Sequence, residues 1–252
     1  MINNKDTNFF QKFGYLAKKN LISKKEIKKC LRSAKKIQKE KGKKIKKISK
    51  YYEKSIIKKD KQILVRIENF LGKDKNLTDL TKNKKILNIL KYLFKDKARI
   101  FKEKINYKLP GCRPDKLHQD LQAGWDKYCK NFISVLINFE VSNLSNGCLQ
   151  FDVSGNNSKK LLSKLMKPLK LKNLKKPKFK SFIMSPGDVV FFNGFIPHKS
   201  NANIGKKSRI QAYLTYNKFS DGSFRKKYLE DKAISFPPNK LREKNKKYSY
   251  KV

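Results

Sequence analysis

The pattern of hydrophobic and polar positions changes period partway along the chain. Behind Ser23, the residues Ile27, Cys30, Leu31, Ala34 and Ile37 recur at three- and four-residue spacing. That spacing predicts a helix buried along one face, and Ser23 with Glu26 at capping-box separation marks its start. Residues 62–71 (QILVRIENFL) and 84–94 (KKILNILKYLF) continue the helical pattern, with Gly72 as the expected stop of the first of them. Residues 1–97 are therefore read as mainly helical. From about residue 98 the period falls to two. Residues 99–109 (RIFKEKINYKL) alternate apolar and polar over much of their length, as a half-buried strand does, and Pro110-Gly111 then mark a turn. Further strands are predicted at 132–141, 147–153, 181–184, 188–193 and 209–217, separated by Asn-Gly, Pro-Gly and Asn-rich turns. Helices followed by several short strands predict one α+β domain over residues 1–252. Its sandwich or jelly-roll core would span 98–220, with a C-terminal tail at 221–252. No internal repeat is visible.

Composition sharpens this picture. A chain of 252 residues that is 38% hydrophobic can bury a core. The formal charge is +44, yet only seven of the 64 basic residues are arginine. A surface selected to grip phosphates favours the bidentate fork of arginine, so scattered lysine reads more readily as solvated surface, with a polyanionic partner as the alternative. The 21–60 stretch carries 17 Lys or Arg against four acids, a solvated basic face. The longest apolar runs, such as 132–139, are too short to span a bilayer, and MINNKDTNFF has no secretory character. Cys30, Cys112, Cys129 and Cys148 lie far apart without a C-x-x-C pair, which fits reduced thiols and a cytoplasmic setting. Residues 154–180 stand out, with ten Lys, no acid, and Pro168 and Pro177. They read as an insertion between strands, either a solvated loop or a cover for a site.

The chemistry concentrates around the two histidines. His118 and Asp120 stand in LHQDL, one residue apart, so in extended backbone both side chains point to the same side. His198 follows a predicted strand and turn in PGDVVFFNGFIPHKSNAN. Two imidazoles and one carboxylate on one face of an octahedral ion leave neighbouring positions open, the arrangement of non-haem Fe(II) oxygenases. An H-x-D triplet alone is weak, because lone histidines are commonly packed or surface residues. Ser200 and Arg209 add weight: Arg209 opens a predicted strand, and a buried Arg with a hydroxyl suits the far carboxylate of a dicarboxylate co-substrate.

These segments together resemble the phytanoyl-CoA dioxygenase family of Fe(II)- and 2-oxoglutarate-dependent oxygenases. The resemblance runs through FFQKFGYLAKKNLISKKEI, FKEKINYKLPG, HQDLQAGW, NGCLQF and PGDVVFFNGFIPHKSNAN…SRIQAYLTYN. It implies a double-stranded β-helix (jelly-roll, cupin-like) core with flanking N-terminal helices. It implies Fe(II) held by His118, Asp120 and His198, 2-oxoglutarate as co-substrate paired with Arg209 and helped by Ser200, and O₂ as oxidant. A carboxylate at Asp120 favours hydroxylation, since related halogenases leave room there for chloride. Two departures stand beside the likeness. Many members carry a Pro-Gly-Ser-His run where this chain has VSGNN at 153–157, and the Lys-rich 154–180 segment has no counterpart in composition.

Secondary assignments follow from position. Gln119, beside the ligands, is a candidate contact of the co-substrate or a ligand. Trp125, the single Trp, is a candidate pocket wall. Lys104, Asn106 and Lys108 share one face of their strand, and a Lys turned inward would attract an anion; Asn138 and Tyr213 are weaker candidates. The expected activity is hydroxylation of a small, polar or anionic metabolite with release of succinate and CO₂. Two alternatives remain. One is the same chemistry on nucleic acid, which Thr215 opposes, since demethylases of this kind usually carry a second Arg six residues after the first. The other is a non-catalytic basic binding module. Oligomeric state is not legible.

Overall fold

A computed structural model describes residues 2–40, 48–155, 160–165, 167–246 and 248. Two antiparallel sheets make its centre. The larger has seven strands in the order β1-β9-β6-β11-β4-β3-β2: β1 (Tyr15–Lys18), β2 (Ser49–Lys54), β3 (Gln62–Glu68), β4 (Ala98–Lys108), β6 (Phe132–Asn138), β9 (Val189–Asn193) and β11 (Arg209–Lys218). The smaller has four in the order β5-β10-β7-β8: β5 (Asp115–His118), β7 (Leu149–Asp152), β8 (Phe179–Ser181) and β10 (His198–Ser200). The strands expected at 99–109, 132–141, 147–153, 188–193 and 209–217 correspond to β4, β6, β7, β9 and β11. The one expected at 181–184 is β8, shifted toward the N-terminus, and the short β5 and β10 lie outside the expected strands.

Alternation along the strands decides what each face meets. On β6, β9 and β11, the residues Ile133, Val135, Ile137, Val189, Phe191, Ile210, Ala212 and Leu214 face a layer of helices. That layer comprises α2 (Lys24–Lys39), α3 (Lys75–Thr81) and α4 (Lys84–Phe94). Ile27, Cys30, Ala34 and Ile37 of α2 are buried there, as their spacing predicts, and Ser23 caps the helix by accepting from the Glu26 amide at 3.2 Å. Two tyrosines fasten the layers: Tyr107 donates to the Ala34 carbonyl and Tyr216 to the Thr81 carbonyl, both at 2.8 Å. Leu90 and Ile86 are fully buried, so truncating either to Ala costs roughly 2–5 kcal/mol. The opposite faces pack Leu136, Val190, Phe192 and Tyr213 against Leu149, Phe151 and Ile196 between the sheets.

Three features differ from expectation. Residues 62–71 are not helical. Gln62–Glu68 forms β3, paired antiparallel with β2 and with β4, where Ile67 lies opposite Ile105. An Ile-Leu-Val-Arg-Ile run suits a strand, and the unpaired edge of β4 decides between two readings that periodicity leaves open. Gly72, with φ +77°, closes the turn after that strand and not a helix. Among the described residues, the N-terminal third thus contributes three strands as well as four helices, the first being α1 (Asn4–Phe13). Finally, residues 221–252 include α5 (Arg225–Ser235), which is fastened to the large sheet. Arg225 clasps Glu103 with two bonds at 3.0 and 2.6 Å, and Lys232 meets buried Glu68 at 2.5 Å. No helix among the described residues is long and apolar enough to cross a membrane.

Candidate active site

His118 ends β5 and His198 opens β10, and the two residues are paired across these strands with ring centroids 4.2 Å apart. Gln119 is extended and Asp120 begins a 3₁₀ turn, so Asp120 returns to the same side as His118. His118 Nε2 lies 3.9 Å and His198 Nε2 3.8 Å from Asp120 Oδ1. One ligand atom from each of the three residues falls within 4.8 Å of the others.

The surroundings fix the orientation of each donor. His118 Nδ1 meets the Lys116 carbonyl at 2.5 Å, and His198 Nδ1 meets the Ile196 carbonyl at 3.0 Å. A carbonyl only accepts, so each Nδ1 carries a proton and each Nε2 is the ring nitrogen left to face a metal. Burial, reinforced by His198, pushes the His118 imidazole down to about 4, which leaves it neutral at physiological pH. Burial alone would raise Asp120, but His198, Lys104, His118 and Lys102 outweigh it and hold the carboxyl at about 2. Asp120 Oδ2 accepts from Ser134 Oγ at 3.1 Å, and Ser134 in turn lies 3.0 Å from Thr215 Oγ1. All the parts of a hard, oxygen-and-nitrogen metal site are present.

A cavity of about 650 Å³ opens beside these residues, lined by His118, Asp120 and His198 together with Arg209, Tyr213, Leu149 and Pro168. Its floor is the polar face of β4, carrying Lys102, Lys104, Asn106 and Lys108. The alternation read at 99–109 is correct, but the polar side faces this interior and not solvent. Arg209 is 2% exposed; its guanidinium donates to Gln211 Oε1, while its Nε has no partner. An orphaned, buried guanidinium nitrogen beside a donor triad is what a carboxylate co-substrate would satisfy. Ser200 Oγ bonds Asp115 at 2.5 Å, and Lys108 Nζ reaches Ser200 at 2.8 Å and Asp115 at 3.0 Å.

Other expected residues lie elsewhere. Gln119 is fully buried and points away from the triad, donating to the carbonyls of Lys160 (3.0 Å) and Phe195 (2.6 Å) and accepting from the Leu162 amide (2.8 Å). Its amide thus has partners at both ends, because an i+1 residue in extended backbone faces the opposite side from i and i+2. Trp125 is not among the cavity's lining; it packs in an aromatic cluster with Phe101, Phe132 and Tyr228. Asn138 accepts from Gln211 behind the cavity, and Tyr213 lines it. The described part of the Lys-rich segment is held against the site. Gln122 donates to the Lys167 carbonyl at 2.5 Å, the Leu169 amide bonds the Leu117 carbonyl at 2.8 Å, and Leu169 and Leu174 pack on Leu117. Residues 156–157 of the VSGNN run lie outside the described residues.

Ser134, Thr215, Asp115 and Lys102 are site residues that sequence reasoning passes over. Ser134 leaves a trace, since it is a lone hydroxyl on the inward face of an otherwise apolar strand, four residues before Asn138. Lys102 shares the parity of Lys104, Asn106 and Lys108.

Residues 10–211 match the family model described as phytanoyl-CoA dioxygenase (PhyH). The 2-aminoethylphosphonate dioxygenase of uncultured bacterium HF130_AEPn_1 is 34% identical over 188 residues, 75% of this chain and 72% of that protein. The methylphosphonate hydroxylase of Gimesia maris is 32% identical over 171 residues, 68% of this chain and 65% of that protein. Among solved structures, EctD from S. alaskensis with 2-oxoglutarate and 5-hydroxyectoine superposes with a TM-score of 0.73 at 18% identity, covering 87% of this chain and 77% of that one. That likeness carries the fold.

Proposed function

Because the chain belongs to the phytanoyl-CoA dioxygenase family and is an oxygenase, we propose that it hydroxylates a small organophosphonate or similar anionic metabolite using Fe(II), 2-oxoglutarate and O₂. The observation that carries the proposal is one cavity holding both a His118–Asp120–His198 donor set and a buried Arg209 with an unpartnered Nε. The phosphonate class is supported by the two relatives that act on phosphonates. Residues 1–252 are proposed to work as a single catalytic domain.

In this reading His118, Asp120 and His198 hold the iron through Nε2, a carboxylate oxygen and Nε2. Their arrangement already suits metal binding, with both imidazoles engaged at Nδ1 by carbonyls and the carboxylate kept ionised. Ser134 holds the second oxygen of Asp120 and so sets the plane of the carboxylate. Arg209 takes the far carboxylate of 2-oxoglutarate, Gln211 steadying one arm of the fork while Nε gains the acceptor it lacks. Lys108 lies opposite Arg209 on the neighbouring strand. Ser200 and Lys108 would turn to that carboxylate by exchanging one of the bonds they make in its absence, Ser200 to Asp115 and Lys108 to Arg113, Ser200 and Asp115. When bound, the iron and 2-oxoglutarate with O₂ supply the oxidation, one oxygen atom entering a substrate C–H bond and the other the succinate formed with CO₂. The segment pinned by Gln119 and Gln122 walls the cavity and limits water, so that the substrate is the group oxidised.

The test is anaerobic titration of metal-free protein with Fe(II) and 2-oxoglutarate, following the weak visible band of the chelate. The wild type develops the band. His118→Ala abolishes it, and Arg209→Lys weakens 2-oxoglutarate roughly tenfold or more by losing the fork. No band in the wild type overturns the cofactor assignment. Succinate release on adding 2-aminoethylphosphonate or methylphosphonate then tests the substrate class.

A further inference from the structure

The charges that line the cavity do not balance. Arg113 forms an ion pair with Glu53 at 2.8 Å on the rim, Arg66 pairs with Glu68 at 3.0 Å, and Lys108 pairs with Asp115. Arg209 and Asp120 are the groups assigned above to co-substrate and metal. Lys116 is exposed. Lys102 and Lys104 are left over. Among the described residues, neither ammonium takes part in a hydrogen bond or an ion pair. Lys102 Nζ sits over the Trp125 ring at 4.0 Å and Lys104 Nζ over the Tyr213 ring at 4.7 Å. Both line the cavity, and Lys102 is only 4% exposed. Burial holds both below the ordinary lysine range; the charge of Lys104 adds to this at Lys102, whereas Asp120 pulls Lys104 back up.

Strand register separates this pair from the co-substrate end. On β4 and β11, Lys108 is opposite Arg209, Lys104 opposite Tyr213, and Lys102 opposite Thr215, the residue that reaches Asp120 through Ser134. Four residues of strand put Lys104 about 13 Å along the backbone from Lys108. A dicarboxylate that chelates at the triad and ends on Arg209 has both its ends engaged, so it leaves Lys102 and Lys104 for another anion. A divalent metal would also neutralise Asp120, the carboxylate that compensates Lys104 most.

We propose that Lys102 and Lys104 form the binding subsite for the phosphonate head of the substrate, two ammoniums facing a tetrahedral group that carries up to two negative charges and three acceptor oxygens. This rests on the function proposed above and specifies where its substrate is held. The chemistry fits lysine, whose compact charge and three rotatable donors suit tetrahedral oxygens without demanding the planar geometry of arginine. The aromatic faces of Trp125 and Tyr213 hold the ammoniums in place without consuming a hydrogen-bonding direction. Trp125 therefore acts on the pocket through Lys102 although it does not line the cavity.

The experiment is calorimetric titration of methylphosphonate, and separately 2-aminoethylphosphonate, into protein loaded anaerobically with Fe(II) and 2-oxoglutarate. Lys104→Met and Lys102→Met are compared with the wild type, each checked for an unchanged thermal midpoint. Lys104→Gln serves as a second variant if Met disturbs folding. The expected result is at least tenfold weaker phosphonate binding in either variant, a 2-oxoglutarate affinity within threefold of wild type, and recovery of most of the phosphonate affinity in Lys104→Arg. Variants that bind phosphonate as tightly as the wild type overturn the subsite. A wild type that forms the 2-oxoglutarate chelate but binds neither phosphonate also overturns it, leaving the oxygenase assignment standing. A wild type that forms no chelate overturns that assignment; loss of methylphosphonate binding in Lys104→Met would then still support the subsite.

Discussion

Removing the Ser134 hydroxyl should weaken metal binding more than removing the Thr215 hydroxyl beyond it. Asp120 Oδ2 only accepts, so Ser134 donates to it at 3.1 Å and must accept from Thr215 at 3.0 Å. Both hydroxyl residues are 1% exposed, so the lost donor lies away from bulk solvent. A hydrogen bond to a charged group contributes about 1.5–3 kcal/mol, and outer partners of metal ligands are typically worth about 10–100-fold in affinity. Ser134→Ala should therefore weaken Mn(II) or Fe(II) binding by roughly 10–100-fold. Thr215→Val keeps shape and leaves Ser134 donating to Asp120, so its effect should stay within a few-fold. The assay is Mn(II) titration of the metal-free protein followed by loss of the free-ion resonance signal, with thermal midpoints recorded alongside. Ser134→Ala affinity within twofold of wild type, or Thr215→Val weaker than Ser134→Ala, would refute the relay.

Four further outcomes follow from the same contacts. Gln119→Ala frees three bonds to Lys160, Leu162 and Phe195; trypsin should then cut within 160–180 several-fold faster, while 2-oxoglutarate affinity stays within threefold. Lys232→Ala removes one of the two ion-pair partners of buried Glu68, leaving Arg66, and should lower stability to denaturant by about 2–4 kcal/mol, with Lys232→Met/Glu68→Gln costing less than the single change. In metal-free protein, unfolded His118 binds a proton near 6.5 but the folded residue only near 4. The unfolded state thus binds more protons in that window, and stability should fall as pH drops from about 6.5 to 4, a slope that His118→Gln flattens and that a constant thermal midpoint would contradict. Arg209→Met should leave the ligand-free protein as stable or more so, while abolishing the rise in thermal midpoint that 2-oxoglutarate gives the wild type.

The residues proposed to hold metal and co-substrate were legible as candidates because their signal is local. The i, i+2 separation of His118 and Asp120 needs only extended backbone, which β5 and Gln119 supply. Arg209 was legible as the first residue of a strand whose odd positions are polar. What was not legible depends on partners distant in sequence. Residues 62–71 carry apolar positions compatible with either period, and the choice is made by Ile105 of β4, some forty residues on. Trp125 and Gln119 flank the triad in sequence, yet their directions are set by Phe101, Tyr228 and the 160–162 backbone. Ser134 and Thr215 belong to different strands and acquire a role only through the β6–β11 register, which places them opposite each other.

Net charge illustrates the same distinction. The +44 of the chain is a sum over a surface that solvent screens, and it says little about the site. The cavity charge is set instead by a few inward positions of β4, where desolvation amplifies every unpaired group. Inward polar positions of β4 and of its neighbours in the sheet destabilise the ligand-free fold. Arg209 Nε, Asn106 Oδ1 and Asn138 Nδ2 are buried without partners, each at about 1–3 kcal/mol, and Lys102 and Lys104 repel one another. Apolar side chains of similar volume at these positions would give a more stable sheet. The outward faces of β6, β9 and β11 bury Ile133, Val135, Ile137, Val189, Phe191, Ile210, Ala212 and Leu214 against helices. The one carboxylate on that side of β4, Glu103, is clasped by Arg225, whereas Arg209 Nε, Asn106 Oδ1 and Asn138 Nδ2 are left without partners on the inward side. Groups left wanting in this way define what completes them: a carboxylate at the Arg209 end, and a second anion at the Lys102–Lys104 end.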